Sequence, residues 1–287
     1  MGMRVLVTGA KGQLGTDLMD ELKKQGLEGI GVDVEEMDIT DPEACRRVIS
    51  QANVDAVIHC AAYTAVDAAE DHVELCHKIN GEGTRNVARA CRESNVKLMY
   101  LSTDYVFDGG GTRPWEPDDS RAPLNVYGQS KYEGELAVEE LTEQYFIVRI
   151  AWIFGVKGKN FIRAMLKLGK EKGAVCVVDD QIGSPTYTKD LARLLVDMIQ
   201  TDHYGRYHAT SEGECSWYEF AREIFRQAGM DQVEVTPVSS ETFAAKAKRP
   251  ANSRMSKEKL TEKGFERLPK WQDALDRFLQ AIHSELS

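Results

Sequence analysis

Apolar residues recur along the chain in two alternating rhythms. The run Met3-Arg4-Val5-Leu6-Val7-Thr8 is short, apolar and rich in β-branched residues. It leads at once into glycines and then into an amphipathic stretch from Leu14 to Gln25. That order spells strand, tight turn, helix. The unit repeats: a strand over 29–33, a helix opened by Asp41-Pro42-Glu43 and running to about Ala52, and a strand over 56–60. A helix over about 70–94 precedes a strand over 97–102, and a helix over about 126–143 precedes a strand over 145–150. Between strand and helix, residues 108–123 are rich in Gly, Pro and Asp, the composition of a functional flap. After Ile150 the alternation weakens, with helices near 160–172, 188–201, 217–229 and 271–284 and a strand over 174–178.

Repeated βα units bury both faces of a parallel sheet. The expected fold is α/β: a Rossmann-type doubly wound parallel sheet over residues 1–150, and a smaller mixed α/β substrate-binding lobe over 151–287. One element near 186–208 is expected to return to the main sheet. A chain of 287 residues is long enough for this arrangement.

Charge narrows the partners. With 36 basic and 46 acidic residues the net charge is −10, which disfavours a nucleic-acid or anionic-membrane surface. A small anionic substrate therefore needs a local cationic pocket. The six cysteines, at 45, 60, 76, 91, 176 and 215, show no zinc-ligand spacing and read as buried free thiols of a reducing compartment. No secretory leader pattern opens the sequence, and no apolar run approaches the ~20 residues of a spanning helix, so a cytoplasmic location is expected.

Candidate chemistry begins in the first turn, Gly9-x-x-Gly12-Gln13-Leu14-Gly15. Glycine lets the backbone turn sharply and approach a pyrophosphate, whose charge meets the amides and dipole of the following helix. Asp33 ends the second strand 18 residues beyond Gly15, where its carboxylate can accept hydrogen bonds from an adenosine ribose. It would repel a 2′-phosphate, so NADH is expected to serve at least as well as NADPH. Asp38 and Ile39 are expected beneath the adenine.

Tyr127 and Lys131 lie four residues apart at the start of a helix, which places phenol and ammonium on one face. A nearby cation favours the phenolate and eases proton transfer. Thr103, at the carboxyl end of the fourth strand, is placed to donate to a carbonyl oxygen under reduction. Tyr-x-x-x-Lys alone occurs by chance on many helices; here the glycine loop, the strand-end threonine and the Tyr/Lys pair stand in order on the right elements.

With these residues the chain resembles the extended short-chain dehydrogenase/reductase family over nearly its whole length, and within it the reductases of dTDP-linked 4-keto-6-deoxy sugars. The resemblance is carried by the glycine loop, by Ala61-Ala62-Tyr63-Thr64-Ala65-Val66-Asp67-Ala68-Ala69-Glu70, and by Ser102-Thr103-Asp104-Tyr105-Val106-Phe107-Asp108-Gly109. Pro123-Leu124-Asn125-Val126-Tyr127-Gly128 with Lys131, Arg149-x-x-Trp152-x-x-Gly155 and Arg249-Pro250-x-Asn252-Ser253 complete it. It implies a dinucleotide held by Gly9, Gly12, Gln13, Leu14, Gly15, Asp33, Asp38, Ile39, Ala61, Ala62, Tyr63 and Thr64, with Tyr127 and Lys131 at the nicotinamide end. It implies a sugar nucleotide held by Thr103, Asp104, Tyr127 and Trp152, with Asn80 supporting the site. Related dehydratases carry an acid where this chain has Tyr105, so simple carbonyl reduction is expected.

Arg249 and Arg254 are candidate cations for the substrate phosphates, or simply a solvated basic loop. Lys189-Asp190 and a lone Glu285 make a poor acidic cluster, so no required metal is expected. A monomer or a homodimer is expected. Two alternatives stay open: a binding-only subunit like the regulatory subunit of methionine adenosyltransferase, and a reductase or epimerase of another nucleotide sugar.

Overall fold

The computed structural model describes residues 2–286. Its first half runs β1 (Arg4–Thr8), α1 (Gln13–Lys24), β2 (Glu28–Val32), α2 (Pro42–Ala52) and β3 (Ala56–His59). Two short helices follow, α3 (Val66–Ala69) and α4 (Val73–His77), then a π-helical turn (Lys78–Gly83), α5 (Thr84–Glu93), β4 (Lys97–Thr103), α6 (Val126–Leu141) and β5 (Tyr145–Ile150). The second half holds β6 (Ile153–Phe154), α7 (Phe161–Lys172), β7 (Ala174–Val178), β8 (Ile182–Gly183), β9 (Thr186–Tyr187), α8 (Thr188–Ile199) and β10 (Gly205–His208). It ends with β11 (Ser211–Glu212), β12 (Cys215–Ser216), α9 (Trp217–Gln227), β13 (Glu234–Val238), α10 (Ser240–Phe243), α11 (Glu258–Glu262), β14 (Leu268–Lys270), α12 (Trp271–Ala281) and α13 (His283–Leu286).

Six parallel strands form the main sheet in the order β10-β5-β4-β3-β1-β2. Alternation along each strand feeds two cores. Val5 and Val7 of β1 face α1 and α8, where Leu14, Leu18, Leu22, Leu191 and Leu195 are buried. Leu6 faces the opposite layer with Cys45, Ile49, Val87, Cys91 and Val138. The expected α/β class with a doubly wound parallel sheet is what the chain adopts. The chain order reverses at β1, with β2 on one side and β3 on the other, so a crevice opens over the carboxyl ends of the strands. A third core, built on Phe154, Leu166, Phe220, Ile224, Trp271 and Phe278, belongs to the second half of the chain.

Two expectations are corrected, and one strand joins a partner not foreseen. The single helix over 70–94 is instead α4, a π turn and α5, with α3 beginning before it. The π turn inserts one residue, so the apolar repeat is offset by one position across 78–83 rather than broken, and the whole stretch still reads as helix. The strand over 174–178 forms as expected, and its partner is β13, which carries Pro237; a two-stranded ribbon tolerates a proline. The thiols are not uniformly buried: Cys176 is exposed and Cys60 half-buried.

Candidate active site

A cavity of about 920 Å³ lies over the carboxyl ends of β1 to β5. At its β1 end the glycine loop is forced by sterics. Gly9 has φ +65°, and a Cβ there would lie 2.9 Å from the Ala61 amide nitrogen; a Cβ at Gly15 would collide with the Gly9 carbonyl. Gly12 donates to that carbonyl at 3.0 Å. No side chain caps α1, so the amides of its first turn face the cavity as an anion site.

Of the positions expected to hold a dinucleotide, Gly9, Gly12, Gln13, Leu14, Gly15, Asp33, Asp38, Ile39, Ala61, Ala62 and Thr64 line this cavity. Tyr63 does not. Asn80 clasps its backbone on both sides, accepting from the Tyr63 amide at 2.8 Å and donating to its carbonyl at 3.0 Å, while the phenol meets His72. Asn80 also donates to the Ser130 hydroxyl at 2.9 Å, and so ties this loop to α6. One Asp33 oxygen already accepts the Lys11 amide at 2.8 Å. The Lys11 ammonium pairs with Glu35 at 2.9 Å and lies 3.9 Å from Glu36, leaving three carboxylates around one lysine at the ribose end.

Tyr127 is placed by the way α6 begins. Asn125 caps it, accepting the Gly128 amide at 2.7 Å, and Glu70 accepts the Val126 amide at 3.0 Å. A Cβ at Gly128 would strike the Tyr105 carbonyl, so the first turn of α6 packs closely on the chain after β4. The Thr103 hydroxyl donates to Asp104 at 3.0 Å and shares the cavity wall with the Tyr127 phenol. Burial raises the phenol well above its ordinary value.

Lys131 is buried, its ammonium 4.1 Å from the centre of the Tyr100 ring, and desolvation brings it down to about 7. Tyr127 thus rests as a neutral acid, poised to give a proton rather than to hold a charge. Asp104 is also buried and raised to about 6 by desolvation, with the Ser253 hydroxyl donating to its second oxygen at 2.5 Å.

At the sugar end Thr103, Asp104, Tyr105 and Trp152 share the wall. Arg249 is not in that wall. Its guanidinium grips Asp67 at 2.7 and 3.0 Å, and Arg254 pairs with Glu214 at 2.8 Å, so neither candidate cation is poised for phosphates. The lysines that line the cavity are Lys78, Lys131 and Lys159. The 108–123 segment is pinned: Trp115 donates its amide to the Arg254 carbonyl at 2.9 Å and its indole N–H to that of Asn252 at 3.1 Å. Asp67, Glu70 and Ser253 were visible as members of conspicuous motifs, but nothing in their spacing shows that they brace Arg249, α6 and Asp104.

A parallel sheet of this order, with a glycine turn after β1 and Tyr-x-x-x-Lys heading α6 beside a strand-end threonine, defines an extended short-chain dehydrogenase/reductase. The family model described as RmlD substrate binding domain matches residues 3–284, and the chain belongs to that family. It is 44% identical to a dTDP-4-dehydrorhamnose reductase from Bacillus anthracis solved in complex with NADP, at a TM-score of 0.95 over 98% of this chain and 100% of that one. It is 41% identical to a dTDP-4-dehydrorhamnose reductase of Mycobacterium tuberculosis, over 97% of this chain and 93% of that protein. It is 38% identical to a dTDP-4-keto-6-deoxy-D-glucose reductase of Streptomyces niveus, over 99% of each.

Proposed function

We propose that this chain is a dTDP-4-dehydrorhamnose reductase, which reduces the C4 keto group of dTDP-6-deoxy-L-lyxo-4-hexulose to give dTDP-L-rhamnose, the last step of that sugar nucleotide's synthesis. The observation that carries the proposal is one cavity holding the uncapped glycine loop at one end and Thr103, Tyr127 and Lys131 at the other. NADH or NADPH, held by the glycine loop, Asp33, Asp38, Ile39 and the 61–64 turn, supplies the hydride when bound. Thr103 and Tyr127 hydrogen-bond the keto oxygen and polarise it. Tyr127 then passes its proton to that oxygen, and Lys131, one turn along the same helix, offsets the phenolate left behind. Asp104 and Trp152 orient the sugar. A binding-only role gives the buried Thr103 and Lys131 and the half-buried Tyr127 nothing to do.

The test is NADH oxidation with the 4-keto sugar generated in situ from dTDP-glucose; no oxidation of NADH or NADPH under those conditions overturns the assignment. The Streptomyces niveus relative favours one second reading, the same reduction on the D-gluco keto sugar. Running the assay with and without the epimerase that interconverts the two substrates separates the readings.

The charge of Lys131 makes NADH affinity depend on pH. Its ammonium is the form that can donate to ribose hydroxyls, and it is lost as pH rises through about 7. His59 and His208, both buried and held down at about 3 by desolvation, do not titrate there. The NADH dissociation constant is expected to rise above pH 7 in the wild type and to be flat in Lys131→Met, measured by nicotinamide fluorescence.

The acidic ribose end predicts that NADH binds at least as tightly as NADPH. Replacing both Glu35 and Glu36 with Gln frees Lys11 for a 2′-phosphate, and should move the affinity ratio toward NADPH by roughly fivefold, the scale of one exposed ion pair. An unchanged ratio would show that Lys11 does not reach the phosphate.

A further inference from the structure

Trp152 is held in an unusual way. Its φ of +50° is in the left-handed region, which bulky side chains rarely enter. The backbone is fixed there because its carbonyl accepts the Thr186 amide at 3.1 Å. The indole is stacked on that of Trp217, with ring centres 3.7 Å apart and planes 15° from parallel. Trp217 is in turn backed by Phe161, 4.6 Å between centres. Gly183 lies against Trp152 as well, and a Cβ there would sit 2.8 Å from its Cε2.

Trp217 does not line the cavity, whereas Trp152 does, beside Thr103, Asp104 and Tyr105. The first turn of α9 that carries Trp217 is itself locked. Ser216 and Glu219 form a reciprocal capping box, and the Ser216 hydroxyl donates to Asp179 at 2.6 Å. Plain core filling would not require a strained tryptophan at a cavity wall, clamped by its backbone, one face and an adjoining glycine. The clamp fixes the position of the one aromatic surface that, among the described residues, the second half of the chain gives to this cavity.

We propose that Trp217 is a positioning residue for the sugar nucleotide: by stacking on Trp152 it fixes the wall against which the substrate is bound, without touching the reacting atoms. This rests on the reductase reading above. Because the effect is on substrate placement away from the Tyr127 proton and the glycine loop, it falls on KM for the sugar nucleotide and spares NADH binding.

The experiment compares wild type with Trp217→Leu, Trp217→Phe and Gly183→Ala. The paired indoles should give the wild type an exciton couplet in far-ultraviolet circular dichroism, lost in both Trp217 variants. Trp217→Leu is expected to raise KM for the keto sugar about tenfold or more, with kcat within about threefold and NADH affinity unchanged. Trp217→Phe, which keeps an aromatic face, should recover most of the loss. Gly183→Ala, which pushes on Trp152 from a second direction, gives the same KM signature if Trp217→Leu does not fold. A KM within twofold of wild type in a folded Trp217→Leu lacking the couplet overturns the proposal, as does a loss confined to kcat. Should wild type bind dTDP-rhamnose but reduce no keto sugar, the reductase reading fails and the Trp217 assignment is decided by whether Trp217→Leu weakens that binding. Absence of any dTDP-sugar binding overturns both.

Discussion

Tyr127→Phe is expected to lower kcat about 10²- to 10⁴-fold, the range for removal of a positioned general acid, while NADH binds as before. The structure makes this a clean test. Desolvation raises the phenol above its ordinary value, so it is neutral at working pH, and its removal deletes a proton without removing a resident charge. Phenylalanine keeps the ring that packs edge-on against Tyr105, 5.5 Å between centres, so the wall of the site stays in place. Asn125 and Glu70, which set the first turn of α6, do not depend on the hydroxyl. Turnover in Tyr127→Phe within a few fold of wild type would hand the proton to another donor, with Thr103 the first to examine.

The sheet and most of this site were legible in the sequence for a physical reason. Strand periodicity, the Asp41-Pro42 helix start and the glycine spacing are local rules, and local rules survive folding when the global fold agrees with them. The Thr103, Tyr127 and Lys131 positions lie at the ends of such elements, so their meeting follows from a parallel sheet. What could not be read was set by distant partners. Arg249 looked like a phosphate cation until the fold gave it Asp67, 182 residues away. Ser253 carried no signal until it met Asp104, 149 residues away. The desolvation that raises the Tyr127 phenol and lowers the Lys131 ammonium also comes from the fold, and a sequence window does not report it. The break at Asn80 was hidden for the reason given by its π turn, yet it is this break that lets one asparagine reach both the Tyr63 backbone and Ser130.

Glu135→Gln is expected to cost about 3–5 kcal/mol of stability, the cost of stripping one partner from a buried ion pair. Tyr127, Lys131, Glu135 and Glu139 follow at steps of four along one face of α6, so the proton donor and its ammonium share a helix face with two carboxylates. Glu135 and Arg149 are both fully buried, joined at 2.8 and 2.9 Å, and Arg121 from the 108–123 segment reaches the same carboxylate at 2.8 Å. Arg149 also donates to the Pro117 carbonyl at 2.8 Å, so one pair fastens β5, α6 and that segment together. Burial, the largest single effect, would raise Glu135, but the Arg149 charge together with the hydrogen bonds from Arg149 and Arg121 outweighs it and brings the carboxyl down to about 2. The folded state therefore holds this carboxylate more tightly than the unfolded one does. The stabilisation is complete above the ordinary carboxylate range and is lost as pH falls toward 2, so the gap between wild type and Glu135→Gln should close in acid. Urea unfolding at neutral and acidic pH measures it, with Glu285→Gln as the control: that carboxylate pairs with Arg163 at the solvent-exposed surface, where screening leaves its removal a far smaller effect. A Glu135→Gln loss no larger than the control's would show that Arg149 finds its counter-charge elsewhere, and that the face of α6 below Lys131 is not an electrostatic anchor.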